Sequence, residues 1–189
     1  MEILLLISDF ALVSFASIIG IHYLRAFMVA NILLIGLLGS KELVMFGFTS
    51  NIGNIFYATV ILGSCLMLQL YGEREARKTI QAVGFTAIGV ALLQVIPSTS
   101  RILVASLTAF MLAQTVLIYS WQWFGRLRVL GSSIVAQAVD SIVFFPLAFL
   151  TQLPVIQMVD FAWQGFVLKA MFAVASLPFF FAVKRIGVR

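Results

Sequence analysis

The chain has 189 residues, of which 62% are hydrophobic and only 10% charged, with a net charge of +5 and a mean hydropathy of +1.12. Soluble domains carry about 25% charged residues, so this chain has too little charge to coat a water-facing surface and reads as a polytopic membrane protein with no separate soluble domain. Its one cysteine, Cys65, excludes an internal disulfide and any cysteine-cluster metal site, and its basic excess points to one basic membrane face rather than to nucleic acid.

An α-helix crosses the hydrocarbon core of a bilayer in about 20 residues. Taken in order, apolar runs of that length predict seven spans, at 3–21, 24–40, 52–71, 79–97, 102–124, 134–150 and 158–183. Gly, Pro, Ser or charge interrupts the sequence between them, at Gly39-Ser40-Lys41, Gly72-Glu73-Arg74, Pro97-Ser98-Thr99, Gly125-Arg126 and Gln152-Leu153-Pro154. The first span lacks a basic leader and a small-residue cleavage site, so 1–22 is expected to be a retained N-terminal helix rather than a signal peptide. The half-apolar segment 42–50 is expected to be an interfacial or re-entrant connector. The expected architecture is one all-α membrane domain, a helical bundle over 1–189.

Basic residues orient it. The connections after spans one, three and five and the C-terminal tail carry nine: Arg25, Arg74, Arg77, Lys78, Arg126, Arg128, Lys184, Arg185 and Arg189. The other side carries two, Lys41 and Arg101. By the positive-inside rule the N-terminus is outside and the C-terminus cytoplasmic. Trp121 and Trp123, at the inner end of span five, are expected in the aromatic belt.

Ionisable groups at bilayer depth cost about 2.5–3.5 kcal/mol each on insertion scales, so they face the bundle interior and find partners. Asp140 and Lys169 lie near the middles of spans six and seven, with Gln137 and Ser141 on Asp140's face. Two compatible readings follow: a mid-membrane substrate or proton site, or an ion pair that pins two helices. Span three places Asn54 and Tyr57 in its first half, and Asn54, Cys65 and Gln69 fall within about a 60° arc at 100° per residue. Asn and Gln present paired donors and acceptors that match the edge of a nucleobase-like ligand; interhelical hydrogen bonding is the plainer reading. Asn31, Gln94 and Gln114 are lesser candidates. Asp160, with Gln157 and Gln164, and Asp9 are expected to be solvated interfacial carboxylates, and His22 an interfacial residue. There is no P-loop, HExxH or G-x-S-x-G and no paired carboxylates at metal-ligand spacing. The residues thus indicate no catalytic site, metal or cofactor, and transport is the class that remains.

The run 51–78 (NIGNIFYA…YGEREARK), preceded by Asn31 and by Lys41-Glu42 with FGF, resembles the queuosine precursor transporter family, also known as the vitamin-uptake-transporter-like group. The stretch 133–149 (SIVAQAVDSIVFFPLAF) is similar to its second signature, a Gln-x-x-Asp followed by aromatics, and Lys169 matches a lysine in its last helix. The resemblance covers the chain from about residue 24. It implies a six-helix transporter core over 23–189 with 1–22 as an additional helix, and uptake of 7-cyano- or 7-aminomethyl-7-deazaguanine or of queuine. Carried over by position, Asn54, Tyr57, Gln137, Asp140 and Lys169 are the substrate-binding candidates, with Gln69 added from the reading of span three. Where the family usually carries Asp and Glu before Tyr-Gly, this chain has Cys65 and Gln69. The partners expected are a deazapurine base and membrane lipid. A homo-oligomer, a separate energising ATPase with this chain as substrate-capture subunit, and a structural subunit without transport all stay open.

Overall fold

The computed structural model describes residues 2–38, 41–93, 100–150 and 153–187. Within them are six helices: α1 (Glu2–Ile19), α2 (Ile21–Leu38), α3 (Gly53–Leu93), α4 (Ser100–Ser120), α5 (Arg128–Phe149) and α6 (Val155–Gly187). Five of the six carry apolar stretches long enough to cross a membrane, and α4 has a shorter one. The chain is a helical membrane bundle.

The spans expected at 52–71 and 79–97 fall, up to Leu93, on two arms of α3, joined at Gly72, whose backbone (φ 81°, ψ 175°) is not helical; 94–97 lie outside the described residues. Contacts with α4 show how far the chain turns there. Along the first arm, Tyr57 stacks edge-on with Phe110 at 6.1 Å, and Ser64 donates to Gln114 Oε1 at 2.9 Å, so the first arm runs parallel to α4. Along the second arm, Arg77 lies 4.6 Å from the centre of the Tyr119 ring and Gly84 sits against Met111, so the second arm runs antiparallel to it. The arms are a helical hairpin with its corner at Gly72.

A similar reversal joins α1 to α2 at Gly20 (φ 151°), and both corners lie at the same end. Tyr71 Oη, beside Gly72, donates to the Ser17 carbonyl at 3.1 Å. One turn beyond Gly20, Arg25 pairs with Glu75 and donates to Thr79 Oγ1 at 2.9 Å. Further in, Val13, Met28 and Gly63 meet at one level: a Cβ on Gly63 would lie 2.9 Å from Met28 Cγ, so glycine lets α2 approach α3 closely. The start of α5 and the last turns of α6 share this end, since Arg128 reaches Gln69 and Trp121 packs edge-on against Phe180. The basic residues on these segments therefore gather at one end of the bundle.

The connector 42–50 has a conformation that its composition leaves open. It forms an antiparallel hairpin of β1 (Glu42–Met45) and β2 (Phe48–Asn51), with Leu43 opposite Ser50 and Val44 opposite Thr49. Its two-residue turn, Phe46-Gly47, has positive φ at both positions, the geometry that matches strand twist. The reason lies in alternation: Leu43 and Met45 are buried while Val44 and Phe46 are exposed, a strand period rather than a helical one. The hairpin packs on α6. Trp123 is exposed as a belt residue would be, but Trp121 is buried, under Arg128, whose guanidinium lies 5.1 Å from its ring.

The apolar core surrounds the first arm of α3. Ile55, Leu62, Leu66 and Met67 are fully buried there, joined by Phe10 of α1, Met28 of α2, Leu117 of α4 and Phe172 of α6. A helix that is buried all round forms the centre of a bundle.

Candidate functional site

Polar groups at membrane depth need partners within the protein, and one seam supplies them. The first arm of α3 and α5 run antiparallel in register. At the basic end, Arg128 Nη2 donates to Gln69 Oε1 at 2.7 Å. About one turn deeper, Cys65 Sγ lies 3.5 Å from Ser133 Oγ. Deeper still, α6 closes the seam: Lys169 Nζ donates to Asp140 Oδ2 at 2.5 Å, with side chains only 6% and 11% exposed respectively.

Tyr57 completes the cluster. Lys169 Nζ lies 5.4 Å from the centre of its ring, close enough for a cation–π attraction, and its hydroxyl faces Asp140. Among the described residues the hydroxyl finds no hydrogen-bond partner, and neither do the buried Nε2 and Oε1 of Gln137 or the Oγ of Ser141, one turn before and one residue after Asp140. Buried polar atoms are nearly always paired, because an unpaired one costs about 1–3 kcal/mol. These atoms leave polar capacity beside the ion pair that no described side chain fully takes up.

Of the six candidates, Tyr57, Gln137, Asp140 and Lys169 come together. Asn54 sits at the far end of the same arm, where its backbone N–H is capped by Asn51 Oδ1 at 3.1 Å and its amide holds Ser50 of the hairpin. Gln69 sits at the basic end and is taken by Arg128. Gln114 is buried and engaged with Ser64, and Gln94 lies outside the described residues. Asp160 is exposed and accepts from Gln164 at 2.9 Å. Asp9 contradicts its expected solvation: it is 5% exposed, because α1 packs that face against α2 and α3 instead of presenting it at an interface.

On sequence alone Arg128 counts only as a basic loop residue, and Ser64 and Ser133 carry no signal. Their positions along α3 and α5 are visible there, but the register that opposes them to neighbouring helices is not. An open, largely apolar groove of about 440 Å³ lies between α5 and α6. Ser141, Phe145, Trp163 and Phe166 line it, and neither charged residue of the pair does.

A bundle of membrane-length helices with a sealed ion pair and unpaired polar groups at mid-depth has the make-up of a multi-pass membrane transporter. Residues 51–183 match the family described as "Putative vitamin uptake transporter", and the chain belongs to that family; it is a multi-pass protein of the cell membrane. Over 176 residues it is 27% identical to the "Probable queuosine precursor transporter" of Bacillus subtilis (strain 168), covering 77% of this chain and 76% of that protein. No solved structure matches the chain. The family match begins at Asn51, so α1, α2 and most of the β-hairpin precede it.

Proposed function

We propose that this transporter imports a queuosine precursor, a 7-deazaguanine base, across the cytoplasmic membrane, and that the base binds at the Asp140–Lys169 pair. The name of the Bacillus relative supports the substrate class. The observation that carries the site is Gln137, whose amide is buried with both ends unpaired one turn from Asp140. A deazaguanine edge offers donors and an acceptor side by side, which a carboxamide can answer in kind.

In this reading Asp140 accepts from the amino groups of the base, Gln137 reads the adjoining edge, and Tyr57 provides an aromatic wall. Lys169 neutralises Asp140 until the base competes for it. Asn54 lines the outer approach and Gln69, with Arg128, the inner one. The nine-to-two bias of basic residues supports a cytoplasmic basic end, with the N-terminus outside.

Thermal stabilisation of the purified protein across a panel of bases tests this. A ligand at a hundred times its Kd stabilises by about 2.7 kcal/mol, so one of the deazaguanines or queuine should raise Tm, and Asp140→Ala should abolish the rise. A response to guanine, adenine or a vitamin alone overturns the substrate. No response to any base from folded protein overturns the site and favours a structural role. Uptake into liposomes by this chain alone separates a self-sufficient transporter from a capture subunit that needs an ATPase.

A further inference from the structure

A second polar cluster lies on the other side of α3. Thr59 is two residues from Tyr57, about 200° around the helix, so it faces away from the Asp140–Lys169 pair. Asn31 of α2 and Thr59 of α3 face the carboxylate of Asp9, and all three residues are at least nine-tenths buried. Among the described residues, Asp9 Oδ2 and Asn31 Oδ1 have no hydrogen-bond partner. The Asn31 amide nitrogen is held by the Phe27 carbonyl at 3.1 Å, and the Thr59 hydroxyl points to the Ile55 carbonyl at 3.3 Å. The second Asn31 N–H and the Thr59 hydroxyl also approach the Asp9 carboxylate, so the cluster is a polar cradle in which Asp9 Oδ2 and Asn31 Oδ1 are left as open acceptors.

Its depth is set by the two corners. Asp9 and Asn31 each lie about three turns from Gly20, and Thr59 somewhat more than three turns from Gly72, which puts the cluster near mid-membrane. The charged groups of the packed elements are committed or distant. On α2, Arg25 pairs with Glu75, and His22 lies two and a half turns from Asn31, about 13 Å along the axis. On α3, Arg77 pairs with Glu73 and Lys78 with Glu75 at the corner. On α6, Lys169 is held by Asp140, Lys184 and Arg185 lie at the basic end, and Phe179 packs against Phe10 of α1 at 5.6 Å. Among the described residues, no side chain brings a positive charge to Asp9.

A buried carboxylate without a cation is far too costly to leave bare, and in transporters such groups mark ion paths. We infer that Asp9, Asn31 and Thr59 form a binding site for a small monovalent cation, a proton or Na⁺, separate from the substrate site. Its place on the opposite face of the same helix as Tyr57 would let occupancy there act on the Asp140–Lys169 pair through α3. That coupling role rests on the transport reading; the binding itself does not, and is measured without substrate.

The test uses the full-length protein in detergent. Replacing choline chloride by NaCl at equal ionic strength should raise Tm if the occupant is Na⁺, with the rise lost in Asp9→Asn and weakened in Thr59→Val. If the occupant is a proton, sodium has no effect, and the infrared spectrum at neutral pH shows the C=O stretch of a protonated carboxyl group. That band disappears in Asp9→Asn and moves in Asp9→Glu, which serves as the readout where the asparagine variant does not fold. Wild-type protein with neither a sodium-dependent rise nor such a band overturns the proposal, whatever the substrate proves to be.

Discussion

Arg128 reaches from the first residue of α5 to Gln69 on α3, donating 2.7 Å to its amide oxygen, while its guanidinium covers the Trp121 ring at 5.1 Å. The contact ties α3, α5 and the end of α4 together at the basic end of the polar seam. It also gives the neutral residue at 69 a physical meaning, since an acid there would make the same contact as a salt bridge. The bond to Gln69 is already charge-assisted by the guanidinium, and turning it into a partly exposed ion pair adds about 0.2–1 kcal/mol. Gln69→Glu should therefore raise stability by about that amount at neutral pH, and the gain should vanish in an Arg128→Gln background. A double-mutant cycle on Tm measures the coupling directly.

The Asp140–Lys169 pair predicts a different pattern. Removing one partner of a buried pair leaves an uncompensated charge and costs about 3–5 kcal/mol, whereas replacing both by apolar groups is often neutral. Asp140→Ala and Lys169→Met should each lower Tm strongly. The double variant should recover much of the loss, yet bind no base in the panel. Recovery of stability without recovery of binding separates the helix clamp from the substrate site.

The bundle is legible in the sequence because composition and span length are local properties. Apolar runs interrupted by Gly72, Gly125 and Pro154 mark segment ends whatever they pack against, and Asp140 and Lys169 stand out because charge at that depth demands a partner. What a neighbouring helix contributes is not legible. Asp9 reads as interfacial by its distance from the chain end, yet α2 and α3 bury it. Gln69 shares an arc with Asn54, yet the two are about four turns apart and hold different partners. The half-apolar composition of 42–50 hides a period of two, in which only Leu43 and Met45 face the core, so its hairpin emerges only from the structure.

Glu75 sits in the corner between the arms of α3, outside both crossings, where Lys78 donates to it at 2.8 Å and Arg25 pairs with it. These hydrogen bonds, that from Lys78 foremost, lower its pKa below the usual 4.5. A carboxylate whose folded pKa is depressed stabilises the protein above its unfolded pKa, and that contribution is lost as pH falls through the folded value. Stability should thus hold at neutral pH and decline in acid below the ordinary glutamate range. Glu75→Gln should flatten that part of the pH–Tm profile and lower the neutral plateau.

The two glycines 72 and 89 of α3 offer a test of the hairpin itself. A Cβ at either would meet nothing within 4 Å, so steric clash contributes nothing and only backbone conformation differs. Gly72 has φ 81° and ψ 175°, a region that side chains disfavour by about 1–3 kcal/mol, and the reversal of the chain depends on it. Gly89 lies within the second helical arm, where alanine is better than glycine by roughly 1 kcal/mol. Gly72→Ala should therefore lower Tm and Gly89→Ala raise it. Equal effects at the two positions would mean that the corner is not held by the positive-φ glycine, and that the arms of α3 meet in some other way.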